Sequence, residues 1–215
     1  MSRKSVRITP DLLDSLPPTC RACLFWELDP VRRGRLDEDE CGAQKRDWLS
    51  EVLREWGSCG QVAMVDDEPR GYLLYAPPGF VPGAEQFAAG PVAPDAVVLT
   101  TAYVDPAMRG GGLGRLMVQG MARDLVRREG CTAVEAFGDS RGRNGGCVAP
   151  TGFLSSVGFR TQRAHPTNPR MRMDLHSTIS WKEEVEHALD RLLGVVRPKH
   201  VAPETPRASG ANRVD

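Results

Sequence analysis

Ala96-Val97-Val98-Leu99-Thr100-Thr101-Ala102-Tyr103-Val104-Asp105-Pro106-Ala107-Met108-Arg109-Gly110-Gly111-Gly112-Leu113-Gly114-Arg115 is the stretch of this 215-residue chain that decides its fold. An apolar, β-branched run reads as a strand, and Asp105-Pro106 turns it. A glycine-rich loop follows and opens into a helix over residues 113–129. Leu113, Met117, Met121 and Leu125 recur every four residues, with Leu116 beside them, which is the spacing of one helix face. Arg123, Asp124, Arg127, Arg128 and Glu129 fall on the other side and the end, and Gly130 stops the helix. Successive glycines let backbone approach a ligand closely. A helix start offers unpaired N–H groups and partial positive charge. Together these make an anion site suited to phosphate or pyrophosphate, and Arg109 and Arg115 flank it. A tight turn that binds nothing has the same local pattern.

Two well-known phosphate motifs do not fit. The dinucleotide pattern G-x-G-x-x-G/A puts Arg115 or Met117 where the third small residue belongs. The P-loop requires Gly-Lys-Ser/Thr, and Gly114-Arg115-Leu116 departs from it. What fits is Arg-x-x-Gly-x-Gly at Arg109, Gly112 and Gly114. With the preceding strand, Val104-Asp105-Pro106, the helix, a second strand and Gly158-Phe159, the sequence resembles the GNAT family of acyl-CoA N-acyltransferases over about residues 61–175. The resemblance implies an α/β fold: a central mixed, twisted sheet flanked by helices, here with an added N-terminal Cys- and Trp-containing segment and a C-terminal helix. It implies direct acyl transfer from acetyl-CoA, or another acyl-CoA, to an amine. Tyr103, Val104, Arg109, Gly110, Gly111, Gly112, Leu113, Gly114, Arg115 and Asn144 are the implied cofactor contacts. It also admits a homodimer.

Composition narrows the class. Lys plus Arg and Asp plus Glu are both 28, so the formal net charge is zero. That gives no general attraction to nucleic acid or anionic membrane, and neither is an expected partner. No apolar run is long enough for a bilayer, and Met1-Ser2-Arg3-Lys4 is not followed by an apolar signal segment. The expected setting is cytoplasmic. There the six cysteines (Cys20, Cys23, Cys41, Cys59, Cys131, Cys147) read as reduced thiols. Cys20-x-x-Cys23 is the suggestive pair. Packing, a metal site completed by Cys41 and Cys59, and redox chemistry are its three readings. With no second C-x-x-C or H-x-x-x-H, no metal site is assigned.

The chain divides into residues 1–60, a helical segment packed on the core; 61–178, the acyl-CoA-binding core; 179–196, a C-terminal helix; and 197–215, a disordered tail with almost no apolar content. Before the core, residues 5–9 read as a strand, 10–16 as a short helix, 32–40 as a charged connection and 43–56 as a helix ended by Gly57. Residues 61–65 and 71–75 form a hairpin over a polar turn. Residues 77–94, rich in Pro, Gly and Ala, form a long loop placed over the acceptor side. Ser180 and Glu183 read as a capping box for the last helix. His165, His176, His187 and His200 are scattered and read as surface residues.

Acyl transfer to an ammonium needs a base, a polarised carbonyl and an acid for the leaving thiolate. The family's tyrosine four residues before the Gly-Phe glycine is Leu154 here. Cys147 and Tyr103 are the candidate acids, with Ser155 and Ser156 beside Cys147. Glu135, followed by Asp139, is the candidate base, since a glutamate interrupting an apolar strand needs a partner or a purpose; facing solvent would also satisfy it. Loss of the tyrosine leaves two alternatives open: a catalytically weak acyl-CoA-binding sensor or interaction protein, and a redox or zinc module built on Cys20 and Cys23.

Overall fold

A computed structural model describes residues 1–142 and 146–175. Seven strands form one mixed sheet in the order β1-β2-β3-β4-β5-β7-β6. Strands β1 (Arg3–Arg7), β2 (Gly60–Val65), β3 (Glu68–Ala76) and β4 (Ala96–Val104) are antiparallel neighbours. Strand β5 (Ala133–Phe137) runs parallel to β4. Strands β7 (Arg170–Asp174) and β6 (Arg160–Arg163) complete the far edge. Asp66 and Asp67 take positive φ of 50° and 65°, the two-residue turn that fits a twisted hairpin.

Alternation along the strands loads both faces of the sheet. Ala63, Val65, Leu73, Tyr75, Val97, Leu99, Val134 and Ala136 point to one face. Helix α5 (Leu113–Leu125) covers it with Leu113, Met117, Met121 and Leu125, the residues its periodicity marked. Asp124 is the exception to that reading. It is 7% exposed, not on a polar surface, because Tyr75 donates to it at 2.9 Å and Arg7 and Arg128 pair with it.

Val62, Tyr72, Leu74, Ala76, Val98 and Phe137 point to the other face. Short pieces cover it: α1 (Pro10–Leu13), α2 (Pro18–Arg21), the long α4 (Glu38–Trp56) and residues 77–94, while α3 (Pro30–Arg33) buries none of its residues. Two expectations change here. Residues 32–40 are not a loose connection: Asp29 caps α3, and Asp37 with Glu40 forms a capping box that starts α4 five residues before residue 43. Residues 1–60 are not a purely helical addition either, since β1 hydrogen-bonds to β2 within the sheet.

Residues 77–94 hold two 3₁₀ turns, Pro78–Phe80 and Pro82–Gln86. Phe87 stacks on Phe137 at 4.4 Å and on Trp26 at 5.1 Å between ring centroids, so the segment is part of the core more than a cover over a cleft. Gly83 lets it lie against the backbone of Phe25 and Trp26, where an added Cβ would come within 2.3 Å of the Phe25 carbonyl. The expected helix over 179–196, the tail, and His176, His187 and His200 lie outside the described residues.

Candidate functional site

The site is built where β4 and β5 part. They pair only from Ala96 opposite Ala133 to Val98 opposite Glu135. Strand β4 continues to Val104, so residues 99–104 have no strand on that side among the described residues. A register shift between Leu74 and Tyr75 leaves Thr100 as the extra residue opposite β3, and its hydroxyl donates to the Leu74 carbonyl at 3.1 Å. The result is a strand with a free backbone edge inside the sheet.

That strand leads directly into the glycine loop. Asp105 accepts from the Ala107 N–H at 3.0 Å and caps the 3₁₀ turn Pro106–Met108. Gly110 and Gly112 then take φ of +77° and +82°, a region that L side chains resist. Gly112 is the N-cap of α5 and brings no side chain to it. The first N–H groups of the helix, at Leu113, Gly114 and Arg115, therefore lack intrahelical partners. Gly114 has a different reason to be glycine. A Cβ there would stand 2.6 Å from the Phe153 ring of α6 (Thr151–Ser156).

Three arginines surround the loop. Arg109 donates to the Val104 carbonyl at 3.2 Å, and Arg115 donates to the Ser156 carbonyl at 2.7 Å. Arg3 of β1 donates to the Gly111 carbonyl at 2.6 Å. All three are exposed, and each brings a guanidinium to the loop or its flanks. Arg3 was not expected from sequence. It lies 108 positions away, and only the edge position of β1 brings it in.

Tyr103 is half-buried and stacks on Tyr72, with ring centroids 5.6 Å apart. It lines a cavity of about 300 Å³ together with Ser15, Arg70 and Asp105. Glu135 is 1% exposed and does not face solvent. The Ala93 N–H donates to it at 3.1 Å, and Arg170 and Arg172 of β7 each stand 3.4 Å from its carboxylate. Asp139 accepts from the N–H groups of Arg141 and Gly142 at 2.9 Å and shapes the next turn. Leu154 is fully buried in the α5-side core. His165 accepts the Asn168 N–H at 3.0 Å, so it organises the turn before β7. Asn144 lies outside the described residues.

Cys147 meets Cys23, and their sulfurs stand 3.6 Å apart. Cys23 is pulled down to about 6 by its hydrogen bond with Cys147, against burial, with help from the Phe25 N–H and the Lys45 charge. Cys147 moves up because of the Cys23 sulfur and burial. Cys20 instead bonds the Tyr72 hydroxyl, whose ionisation burial opposes above all. Burial likewise pushes the Cys59 thiol up. Tyr103, Glu135 and Cys147 share no hydrogen bond with one another among the described residues. Nor do those residues group three His, Cys, Asp or Glu side chains in a way that could hold a metal. No helix among them is long and apolar enough to cross a membrane.

A split parallel strand pair beside a glycine-rich helix start marks this α/β fold. The sequence profile of the acetyltransferase (GNAT) family matches residues 22–144. The chain belongs to that family, whose acyl donor is an acyl-CoA co-substrate. No curated protein sequence matches it. Solved structures share the fold. The loading GNATL domain of CurA from Lyngbya majuscula superposes with a TM-score of 0.52 at 12% identity, covering 82% of this chain and all of its own. AAC(6')-Ib, in complex with ribostamycin and coenzyme A, gives 0.51 at 16% identity, covering 81% of this chain and 94% of its own. The aminoglycoside acetyltransferase AAC(6')-Ib with coenzyme A gives 0.50 at 16%, with 80% and 95% covered.

Proposed function

We propose that this protein is an N-acyltransferase that moves an acyl group, acetyl first among them, from acyl-CoA directly to an amine. The observation that carries the reading is the continuity of the free β4 edge, residues 99–104, with the glycine loop at the start of α5. Loop N–H groups from Gly110 to Arg115 would hold the pyrophosphate, with Arg109, Arg115 and Arg3 adding charge. Backbone groups of Tyr103 and Val104 would pair with the amide-bearing arm of the cofactor. An N–H of the same edge would polarise the thioester carbonyl, a contact that strengthens as negative charge develops.

For proton transfer we assign Tyr103, whose ring lines the open cavity. Glu135 commits its oxygens to two guanidinium groups and an amide, which supports a structural part for it. Cys147 is engaged with the Cys23 sulfur, 3.6 Å away, which supports a part outside acyl transfer for it. The cavity, with the polar groups of Ser15, Arg70 and Asp105, suits a small amine acceptor. The reading places the reaction in the cytoplasm, where thiols stay reduced.

Calorimetric titration with acetyl-CoA, beside an Arg109→Glu, Gly112→Asp double variant, tests this. Binding by the wild type and its loss in the folded variant are expected. A folded wild type that takes up no acetyl-CoA would overturn the proposal. CoA release with a panel of amines is the second arm, and Tyr103→Phe should lower kcat with KM for acetyl-CoA unchanged. Binding without release from any amine would favour an acyl-CoA sensor, a reading that the buried Leu154 in the tyrosine position supports.

A further inference from the structure

The sequence pairs Cys20 with Cys23, but the fold pairs Cys23 with Cys147, 124 positions away. The two sulfurs are held from both sides. Lys45 donates to the Cys23 carbonyl at 3.1 Å, and the Trp26 indole donates to the Cys147 carbonyl at 2.7 Å. Lys45 is itself fixed by a buried pairing with Glu27. Backbone at each cysteine is thus tied to the same small cluster, Trp26, Glu27 and Lys45. A disulfide needs about 2.05 Å between sulfurs, so closing the 3.6 Å gap takes a shift shared by two short side chains. Both cysteines are half-buried, so neither sulfur is sealed from small solutes.

We propose that Cys23 and Cys147 form a peroxide-reactive thiol pair, in which Cys23 is the attacking sulfur and Cys147 resolves the product to an intramolecular disulfide. In the first step the Cys23 thiolate attacks a peroxide oxygen. The S–O bond forms, the O–O bond breaks, and the departing hydroxide takes a proton to leave as water. In the second step the Cys147 thiol loses its proton and attacks the Cys23 sulfenic acid. The S–S bond forms, the S–O bond breaks, and a second water leaves. Two electrons pass from the two thiols to one hydrogen peroxide. The order of attack follows from the surroundings. The Cys23 sulfur accepts from the Phe25 N–H and lies near the Lys45 ammonium, with Glu27 opposing; Cys147 has the charge of Arg33 in its favour but faces the Cys23 and Cys20 sulfurs. A thiolate stabilised at ambient pH is the reactive form.

The test uses the full-length reduced protein and substoichiometric to equimolar hydrogen peroxide. Non-reducing peptide mass mapping should find one cross-link, Cys23 to Cys147, with the loss of two hydrogens. In Cys147→Ser the bridge should vanish and a sulfenic-acid trap should label Cys23. In Cys20→Ser the bridge should form unchanged. Iodoacetamide labelling of reduced protein should show Cys23 reacting at least about ten-fold faster than Cys147 at pH 7. A Cys20–Cys23 bridge, or over-oxidation of Cys23 with no bridge, would overturn the proposal. Thermal melting confirms that each variant is folded. None of these readouts depends on acyl-CoA, so the thiol pair stands or falls apart from acyl transfer.

Discussion

The two faces of the sheet are covered by opposite means. On one, α5 lays a periodic apolar stripe across β2, β3 and β4, with Leu154 of α6 beside it. On the other, the four-residue helices α1 and α2, two 3₁₀ turns and the long α4 share the work. Pieces that short cannot satisfy their own backbone groups, so side chains do it across the face. Lys45 donates to the Cys23 carbonyl at 3.1 Å, Trp48 to that of Phe80 at 2.7 Å, Trp26 to that of Cys147 at 2.7 Å and Arg33 to that of Phe25 at 3.2 Å. The α5 helix takes mostly apolar contact from its neighbours, with Asp124 the exception. A patchwork needs specific donors, and each donor becomes a point of failure.

The largest expected effect therefore lies on the patchwork face. Lys45 and Glu27 are 3% and 1% exposed and paired. Lys45→Ala strands the carboxylate and the Cys23 carbonyl, and should cost about 3–5 kcal/mol in urea unfolding. A Lys45→Met, Glu27→Leu double variant should recover much of that loss. Equal losses in the two would mean that the charge pair is not what binds this face. On the α5 face, Leu154→Tyr puts a larger ring into a fully buried position. It should cost about 1–3 kcal/mol by overpacking, with no gain in CoA release. A faster variant of unchanged stability would show that the position opens toward the cofactor. The smallest effect belongs to the seam where residues 77–94 join β4. Arg172 and Thr132 hold the Asp95 carboxyl well below the usual carboxylate range. A depressed carboxyl stabilises the fold above its unfolded value, about 3.9, and the gain fades as pH falls below that toward its folded value. The melting-temperature gap between wild type and Asp95→Asn should thus be present at pH 6 and shrink steadily below pH 4. A gap that does not change with pH would leave the Arg172 contact without energetic weight.

The same contrast explains what the sequence made legible. The α5 stripe, the hairpin and the glycine loop depend on spacing within a few residues, and spacing is visible in a sequence. Gly114 stands out in the sequence as part of the glycine loop, but its conflict with Phe153 is tertiary and leaves no local sign. The start of α4 was legible: Asp37 and Glu40 make the capping signature inside a run that charge alone marked as a connection. The neighbours of Glu135 left a fainter trace, since Arg170 and Arg172 alternate with Met171 and Met173 along β7. The Cys23–Cys147 contact left none. A C-x-x-C spacing pointed instead to Cys20, which the fold turns toward Tyr72.

The free edge of β4 has a consequence for measurement. Alternate amides among residues 99–104 face no β5 partner, and unpaired amides exchange their hydrogens with solvent far faster than those in a closed ladder. A ligand lying along that edge takes the place of the missing strand. Deuterium uptake in this one peptide therefore records whether the slot is filled, by any occupant and without turnover, while the β3-facing amides of the same segment serve as its internal standard.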